Sequence, residues 1–142
     1  MPDTAKGVAV PFAVCDKVKI METQQLIEYC LQKKGAYTDF PFGEDVTCLK
    51  VKKKLFAQFF ILKGGPMMTV NCERLAGEFF RNAYPDAVTR GYHCPPVQQP
   101  YFNTVRLWKD IPENDLLGMI DHSYSYVTGK LPNKIQKELE EE

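Results

Sequence analysis

The sequence predicts an α+β domain with one antiparallel sheet of five strands and helices packed on one face. Apolar residues repeat at helical spacing in three long segments. Five shorter runs are rich in β-branched and aromatic residues, as strands are. Three of these runs follow one another with no helix between them, which favours antiparallel pairing through hairpins. The predicted order is therefore α-β-β-β-α-β-β-α.

The first helix is predicted over "TQQLIEYCLQKKG". Thr23 is a suitable N-cap and Gly35 a suitable end. The apolar stripe consists of Leu26, Ile27, Cys30 and Leu31. The turn segment "DFPFGED" then leads to strands over "VTCLKV" and "LFAQFFILK", joined around Lys52 and Lys53, and "GGP" separates these from a third strand over "MMTVN".

The second helix is predicted over "CERLAGEFFRNAYP", with Asn71 as its cap and Pro85 at its end. Two strands follow, one near "RGYH" and one through "FNTVRLW". Pro112 suits the start of the third helix. The predicted buried face of this helix holds Leu116, Leu117, Ile120, Tyr124 and Val127, and a short charged helix finishes the chain.

The bulk composition is that of one ordinary globular domain. The chain has 142 residues, of which 44% are hydrophobic and 25% charged, and no window approaches a membrane span. Residues 1–20 have no clear periodicity, so we expect an N-terminal extension there and a single domain over 21–142 with an acidic tail. The five cysteines are widely spaced without a C-x-x-C pair, which favours a reducing, cytoplasmic location.

Catalytic and metal-binding patterns are weak. His93 and Cys94 are adjacent and His122 is distant, so no zinc spacing is formed and no metal or cofactor is expected. Asp121 and His122 are successive helix residues and do not face each other, so a set with Cys94 is disfavoured. No phosphate-binding glycine loop occurs. A binding protein is favoured over an enzyme that uses His93 or Cys94.

Nucleic-acid binding is one hypothesis, although the net charge is zero. Candidate phosphate contacts are Lys50, Lys52, Lys53, Lys54, Arg90 and Arg106, and candidate stacking residues are Tyr92, Tyr101, Phe102 and Trp108. The alternative interpretation is a solvated lysine hairpin at a sheet edge, with the aromatic rings in the core.

Several segments together resemble the MmcQ/YjbR family of small bacterial proteins. They are "LIEYCLQKKGAYTDFPFGEDV", "KVKKKLFAQF", "TVNCERL", "RGYH", "FNTVRL", "DHSYSYV" and "LPNK", and the resemblance covers about residues 21–139. It implies a two-layer α+β sandwich, similar to frataxin and secretion-chaperone folds. It also implies a non-enzymatic protein described as DNA-binding through a double-wing motif.

The segment after "GYH" differs from the family pattern. Its "CPPVQQPYF" lacks the basic residues that members usually carry there. A stiff, apolar loop of this kind suits a lid over a small cleft, which favours a small molecule or a peptide as the ligand. The candidate cleft residues are Phe42, Tyr92, His93, Asn103 and Trp108. DNA, or a small molecule or peptide, is thus the expected partner of a monomer or homodimer that does not bind membranes.

Overall fold

The structure, a computed structural model, describes residues 22–62, 64–91 and 94–142. The predicted extension over residues 1–20 lies outside the described residues, and so do Met21, Lys63, Tyr92 and His93. The domain boundary at residue 21 therefore stays a prediction.

Four helices and six strands make up the described chain, together with one short 3₁₀ turn. In chain order they are α1 (Thr23–Leu31), β1 (Ala36–Asp39), β2 (Thr47–Val51), β3 (Lys54–Leu62), β4 (Gly65–Asn71), α2 (Arg74–Ala83), β5 (Val88–Arg90), the 3₁₀ turn (Gln99–Tyr101), β6 (Phe102–Arg106), α3 (Glu113–Gly129) and α4 (Asn133–Glu140).

The strands form one sheet in the order β1-β2-β3-β4-β6-β5, and every neighbouring pair is antiparallel. The α+β class and the antiparallel sheet are confirmed, but the count of five strands is wrong. The additional strand is β1, whose residues are exposed or half-buried and carry no alternating apolar pattern. Its pairing with β2, from Ala36 opposite Val51, defines it. The packing of the helices as one layer on one face stays a prediction.

Two predicted helix caps are wrong by one or two residues. Helix α1 begins at Thr23, and the backbone N–H of the preceding Glu22 donates to Gln25 Oε1 at 2.9 Å. Helix α2 is capped by Glu73, whose carboxylate accepts from the first-turn backbone. Asn71 instead ends β4, because its place in the sheet, opposite Phe102, overrides its capping preference.

The lysine hairpin, residues 50–54, joins β2 to β3 by a two-residue loop. Lys52 and Lys53 both have positive φ values, 49° and 69°. Two successive left-handed residues are typical of the type I′ turn, whose twist matches that of paired strands. The turn therefore places consecutive lysine side chains at one end of the sheet.

The register defines two ends of the sheet. Lys54, Asn71 and Phe102 lie at the hairpin end, because Val51 pairs with Lys54 and Asn71 pairs with Phe102. Arg106 lies at the far end, opposite Met67. The described part of the domain has one hydrophobic core. Its buried residues include Leu26, Leu49, Phe56, Met68, Val105, Leu116 and Ile120. No helix in the described ranges is both long and apolar enough to cross a membrane.

Candidate ligand-binding cleft

A cavity of about 700 Å³ opens at the hairpin end of the sheet. The strand ends of β3, β4 and β6 form one side, the C-terminal half of α3 forms another, and the segment around the 3₁₀ turn forms the third. Its lining residues are Lys54, Leu55, Asn71, Gln98, Tyr101, Phe102, Tyr126, Val127, Lys130 and Leu131. The volume lies within the usual range for small-molecule sites.

His122 and Tyr126 of α3 and Lys130, which follows the helix, are spaced four residues apart and form a stacked column, of which Tyr126 and Lys130 line the cleft. The imidazole of His122 stacks on the ring of Tyr126, with 6.1 Å between ring centroids and 14° between planes. Lys130 Nζ lies 4.3 Å from the centroid of the same Tyr126 ring. Helix periodicity places such residues on one face. The cation–π contact thus holds a positive charge beside the cavity.

Hydrogen bonds from Asn71 order the wall that the strands contribute. Its side-chain Nδ2 donates to the carbonyl of Leu55 at 3.1 Å, and its backbone N–H donates to Ser123 Oγ at 2.9 Å. Ser123 is fully buried and donates in turn to the carbonyl of Phe56. The ends of β3 and β4 are therefore tied to α3, which keeps the cleft walls in a defined relation.

Acidic residues neutralise two of the lysines of the lysine hairpin. Lys50 Nζ lies 2.7 Å from Asp39 Oδ2, and Lys52 Nζ lies 2.7 Å from Glu142 Oε2. The hydrogen bond from each lysine to its carboxylate raises the pKa of that lysine. Lys53 and Lys54 are exposed, and within the described chain neither forms such a pair.

The two predicted arginines of the nucleic-acid set lie elsewhere. Arg90 is exposed at the end of β5, opposite Asn103, on the outermost strand of the sheet. Arg106 lies at the far end and donates from Nη1 to the backbone carbonyl of Asp86 at 2.7 Å. The structure therefore groups Lys52, Lys53 and Lys54 by the hairpin turn but does not place Arg106 with them.

The three predicted cleft residues that the structure describes, Phe42, Asn103 and Trp108, lie apart from one another. Phe42 lines a second cavity of about 630 Å³ with residues from the end of β3, including Ile61 and Leu62. Trp108 packs over Gly64 at the far end of the sheet, where an added Cβ would lie 3.0 Å from its ring. Tyr92 and His93 lie outside the described residues.

Asn103, the remaining predicted cleft residue, is 1% exposed. Its Oδ1 accepts from Arg81 Nη1 at 2.6 Å, and its Nδ2 donates to the carbonyl of Gly77 at 3.2 Å. The side chain is therefore engaged beneath α2 rather than directed to a cleft ligand.

The groups with catalytic potential are poorly placed for nucleophilic chemistry. Burial raises the pKa of the Cys94 thiol, whereas a nucleophilic cysteine has a lowered pKa. His122 Nε2 accepts a hydrogen bond from the backbone N–H of Glu73 at 3.0 Å, which occupies its basic nitrogen. Across the described ranges, no group of three or more His, Cys, Asp or Glu residues is arranged to hold a metal ion.

Sequence reasoning does not single out Gln98, Tyr126 or Lys130 as site residues. It does name Lys54, Tyr101 and Phe102, but as parts of a nucleic-acid surface. The spacing of His122, Tyr126 and Lys130 by four residues was the available indication of a functional helix face. Its relevance depends on the strands that α3 packs against, which a helical pattern does not specify.

The fold and cleft together define a small, single-sheet α+β protein with an open cleft between sheet and helix. The YjbR family matches residues 31–126, and the chain belongs to that family. The resemblance noted from the sequence motifs is thereby confirmed.

Three relatives illustrate the match. The uncharacterized protein YjbR of Escherichia coli K12 is 25% identical over 117 residues, which cover 82% of this chain and 96% of the relative. A crystal structure of the Deinococcus radiodurans protein DR2400, with a DUF419 domain, has a TM-score of 0.75 and 26% identity, covering 87% of this chain and 91% of that one. A Pseudomonas syringae protein structure, 18% identical, has a TM-score of 0.58 over 72% of this chain and 96% of its own, and it supports the fold alone.

Proposed function

We propose that this YjbR-family protein is a binding protein whose cleft takes a small molecule with an anionic group and a flat ring. The observation that carries this proposal is the convergence of Lys54 and Lys130 on one cavity that is also lined by Tyr101 and Phe102. A cytoplasmic location, favoured by the free cysteines Cys30, Cys48, Cys72 and Cys94, is part of the proposal.

The two lysines would recognise the anionic group. Lys54 begins β3 and Lys130 follows α3, and both are exposed. Neither has a carboxylate partner among the described residues, in contrast to Lys50 and Lys52. Two unpaired cations in one concave site attract an anion more strongly than isolated surface charges do. A carboxylate or phosphate group between their Nζ atoms would be the matching ligand group.

The aromatic side chains would recognise the ring. Tyr101 is 41% exposed and Phe102 is half-buried, and both line the cavity. Tyr126 contacts Lys130 and His122 with its ring, so it serves to position the cation. Aromatic rings in an open cleft favour flat, apolar ligand parts by stacking. The carboxamide of Gln98 adds a polar group that can orient such a ligand.

Nucleic acid is the second candidate, and the exposed Lys53 and Lys54 beside the cleft favour it. With Lys130 they would contact about three phosphates, while a base stacks on Tyr101. Because each neutralised phosphate contributes roughly one unit or less to the salt slope, the slope would be shallow, about 2 to 3. This surface is smaller than the six-residue set expected from the sequence.

Ligand-dependent thermal stabilisation tests the first candidate. The purified protein is screened against aromatic carboxylates and mononucleotides, and hits are titrated by calorimetry. The double variant that carries both Lys54→Gln and Lys130→Gln should bind the ligand at least tenfold more weakly. Lys109→Gln removes an exposed lysine that does not line the cavity, and should leave binding unchanged.

Two results decide between the candidates. Stabilisation by no compound of this class, or equal binding by the double variant, would overturn the small-molecule proposal. Labelled single-stranded and duplex DNA, titrated at low and physiological salt, tests the second candidate directly. DNA binding that weakens with salt and with Lys53→Gln would favour nucleic acid.

A further inference from the structure

Arg81, in the last turn of α2, is incompletely satisfied. Its Nη1 donates to Asn103 Oδ1 at 2.6 Å. Its Nη2 is shielded from solvent and has no hydrogen-bond acceptor in the described part of the chain. Buried polar groups of native proteins are nearly always hydrogen-bonded, and an exception has a cause such as strain, a functional role, or a bound water or ion.

Within the described residues, no carboxylate forms an ion pair with the Arg81 guanidinium. Glu73 is engaged at the start of α2, where its oxygens accept from the backbone N–H groups of Leu75 and Ala76. Asn103 is neutral. Arg81 is therefore a partly enclosed cation without an ion-pair partner in the described part of the chain.

The thiol of Cys72, which also lies beside Arg81, stays protonated at neutral pH. Burial raises the pKa of Cys72 to about 11, and the opposing effects of the Arg81 charge and of a hydrogen bond with the Arg81 side chain are smaller. The thiol instead faces the carbonyl oxygen of Pro100, 3.7 Å from its sulfur. Cys72 therefore contributes a polar, uncharged wall to the site.

Gly77 provides the space that the guanidinium occupies. A Cβ at this position would lie 2.5 Å from Cys72 Sγ and 3.1 Å from Arg81 Nη1. Glycine inside a helix is unfavourable relative to alanine. Its presence here allows Arg81 to fold back along α2 toward the 3₁₀ turn, whose Pro100 carbonyl lies 3.4 Å from the same point.

We propose that Arg81 is a binding site for a small oxyanion, a carboxylate or phosphate group, which pairs with Nη2 beneath residues 98–101. Guanidinium groups bind such oxyanions through parallel N–H···O hydrogen bonds. The covering segment is a three-residue turn, fastened to Cys72 by the hydrogen bond from the Cys72 N–H to the Tyr101 carbonyl at 2.8 Å. A shift of this segment opens the site, and the anion then supplies the missing acceptor and charge.

The site is distinct from the cleft and does not depend on the proposed function. Lys54 and Lys130 line the cleft, whereas Arg81 does not. The segment over Arg81 nevertheless contributes Gln98 and Tyr101 to the cleft wall. An oxyanion at Arg81 would therefore act on the cleft through that shared segment, without contacting a cleft ligand.

Thermal unfolding in inorganic phosphate and in acetate, each matched in ionic strength with sodium chloride, tests the inference. We expect one of the anions to raise the midpoint in a saturable way in the wild-type protein. Phosphate acting at lower concentration would indicate a phosphate ligand, and acetate a carboxylate. Arg81→Gln should raise the dissociation constant at least tenfold. Arg74→Gln, on the same helix, and Lys54→Gln with Lys130→Gln should retain binding.

A second variant keeps the test decisive if Arg81→Gln does not fold. Asn103→Asp places a carboxylate beside the Arg81 guanidinium and should also abolish the saturable response, because the internal acid replaces the bound anion. No saturable response above that of chloride in the wild-type protein would overturn the inference. So would an unchanged dissociation constant in both variants.

Discussion

The hydroxyl of Ser123 accepts a hydrogen bond from the backbone N–H of Asn71 at 2.9 Å and thereby ties α3 to the end of β4. The same hydroxyl donates to the carbonyl of Phe56 in β3. Ser123 and Phe56 are fully buried, so the Phe56 carbonyl has no water as a substitute partner. One side chain thus joins the helix to two adjacent strands beside the cleft.

Removing the Ser123 hydroxyl should lower the stability of the protein. We expect Ser123→Ala to lower the free energy of unfolding by about 1–3 kcal/mol, because it removes the hydrogen-bond partner of the buried Phe56 carbonyl and of the Asn71 N–H. Urea denaturation measures the change. Ser125→Ala, at an exposed position of the same helix, should stay within about 0.5 kcal/mol of wild type. Similar effects of the two substitutions would show that the Ser123 contacts are unimportant.

Two helical glycines should respond in opposite directions to alanine. At Gly77 the new Cβ would lie 2.5 Å from Cys72 Sγ, so we expect Gly77→Ala to destabilise by about 1–3 kcal/mol. At Gly118 no heavy atom lies within 4 Å of the new Cβ, so Gly118→Ala should stabilise α3 by about 0.5–1 kcal/mol. Chemical denaturation of both variants provides the comparison. A stabilised Gly77→Ala protein would contradict the packing described around Arg81.

The cap of α2 should make stability depend on acid. Hydrogen bonds from the backbone N–H groups of Leu75 and Ala76 lower the pKa of Glu73 below its ordinary value of 4.5. The ionised Glu73 therefore contributes fully to the free energy of unfolding above about pH 4.5. This contribution is lost as the pH falls through the lowered pKa of Glu73 in the folded state. Asp39, whose pKa is lowered by the hydrogen bond from Lys50, acts in the same direction.

Unfolding midpoints measured between about pH 5 and pH 3 test this dependence. We expect Glu73→Gln to be less stable than wild type at neutral pH and to lose less stability on acidification. Glu78→Gln, on the same helix, serves as the matched control and should follow the wild-type profile. If the unfolding midpoints of wild type and Glu73→Gln fall in parallel with pH, Glu73 does not cause the acid dependence.

Cys94 should be the most reactive of the four described cysteines. Cys30, Cys48 and Cys72 are buried, and burial raises the pKa of Cys30 to about 12 and that of Cys72 to about 11. Cys94 is only half-buried. In a Cys15→Ser variant at pH 8, we expect maleimide to modify Cys94 at least tenfold faster than any other cysteine. Intact mass spectrometry follows the number of adducts over time. Fast labelling that persists after Cys94→Ser would locate the accessible thiol elsewhere.

Much of the secondary structure was predictable from the sequence, because local patterns encode it. Leu26 and Cys30 lie one helical turn apart and are both buried in α1, and Leu116, Ile120 and Val127 repeat in the same way on α3. The motifs around "GYH" and "FNTV" indicated the family. Strand β1 escaped prediction because its four residues show no apolar alternation and are defined by their pairing with β2.

The sequence by itself determined the composition, the helices, most of the strands and the family, since each depends on neighbouring residues or on motif spacing. Only the tertiary structure decided which charges act together. It pairs Lys52 with Glu142, 90 positions away, and removes that lysine from the free cations. It brings Lys54 of β3 into one cavity with Lys130 beyond α3, and among the described residues it leaves Arg81 Nη2 without a hydrogen-bond acceptor. Strand register and helix packing set these distances, and no local pattern in the chain contains them.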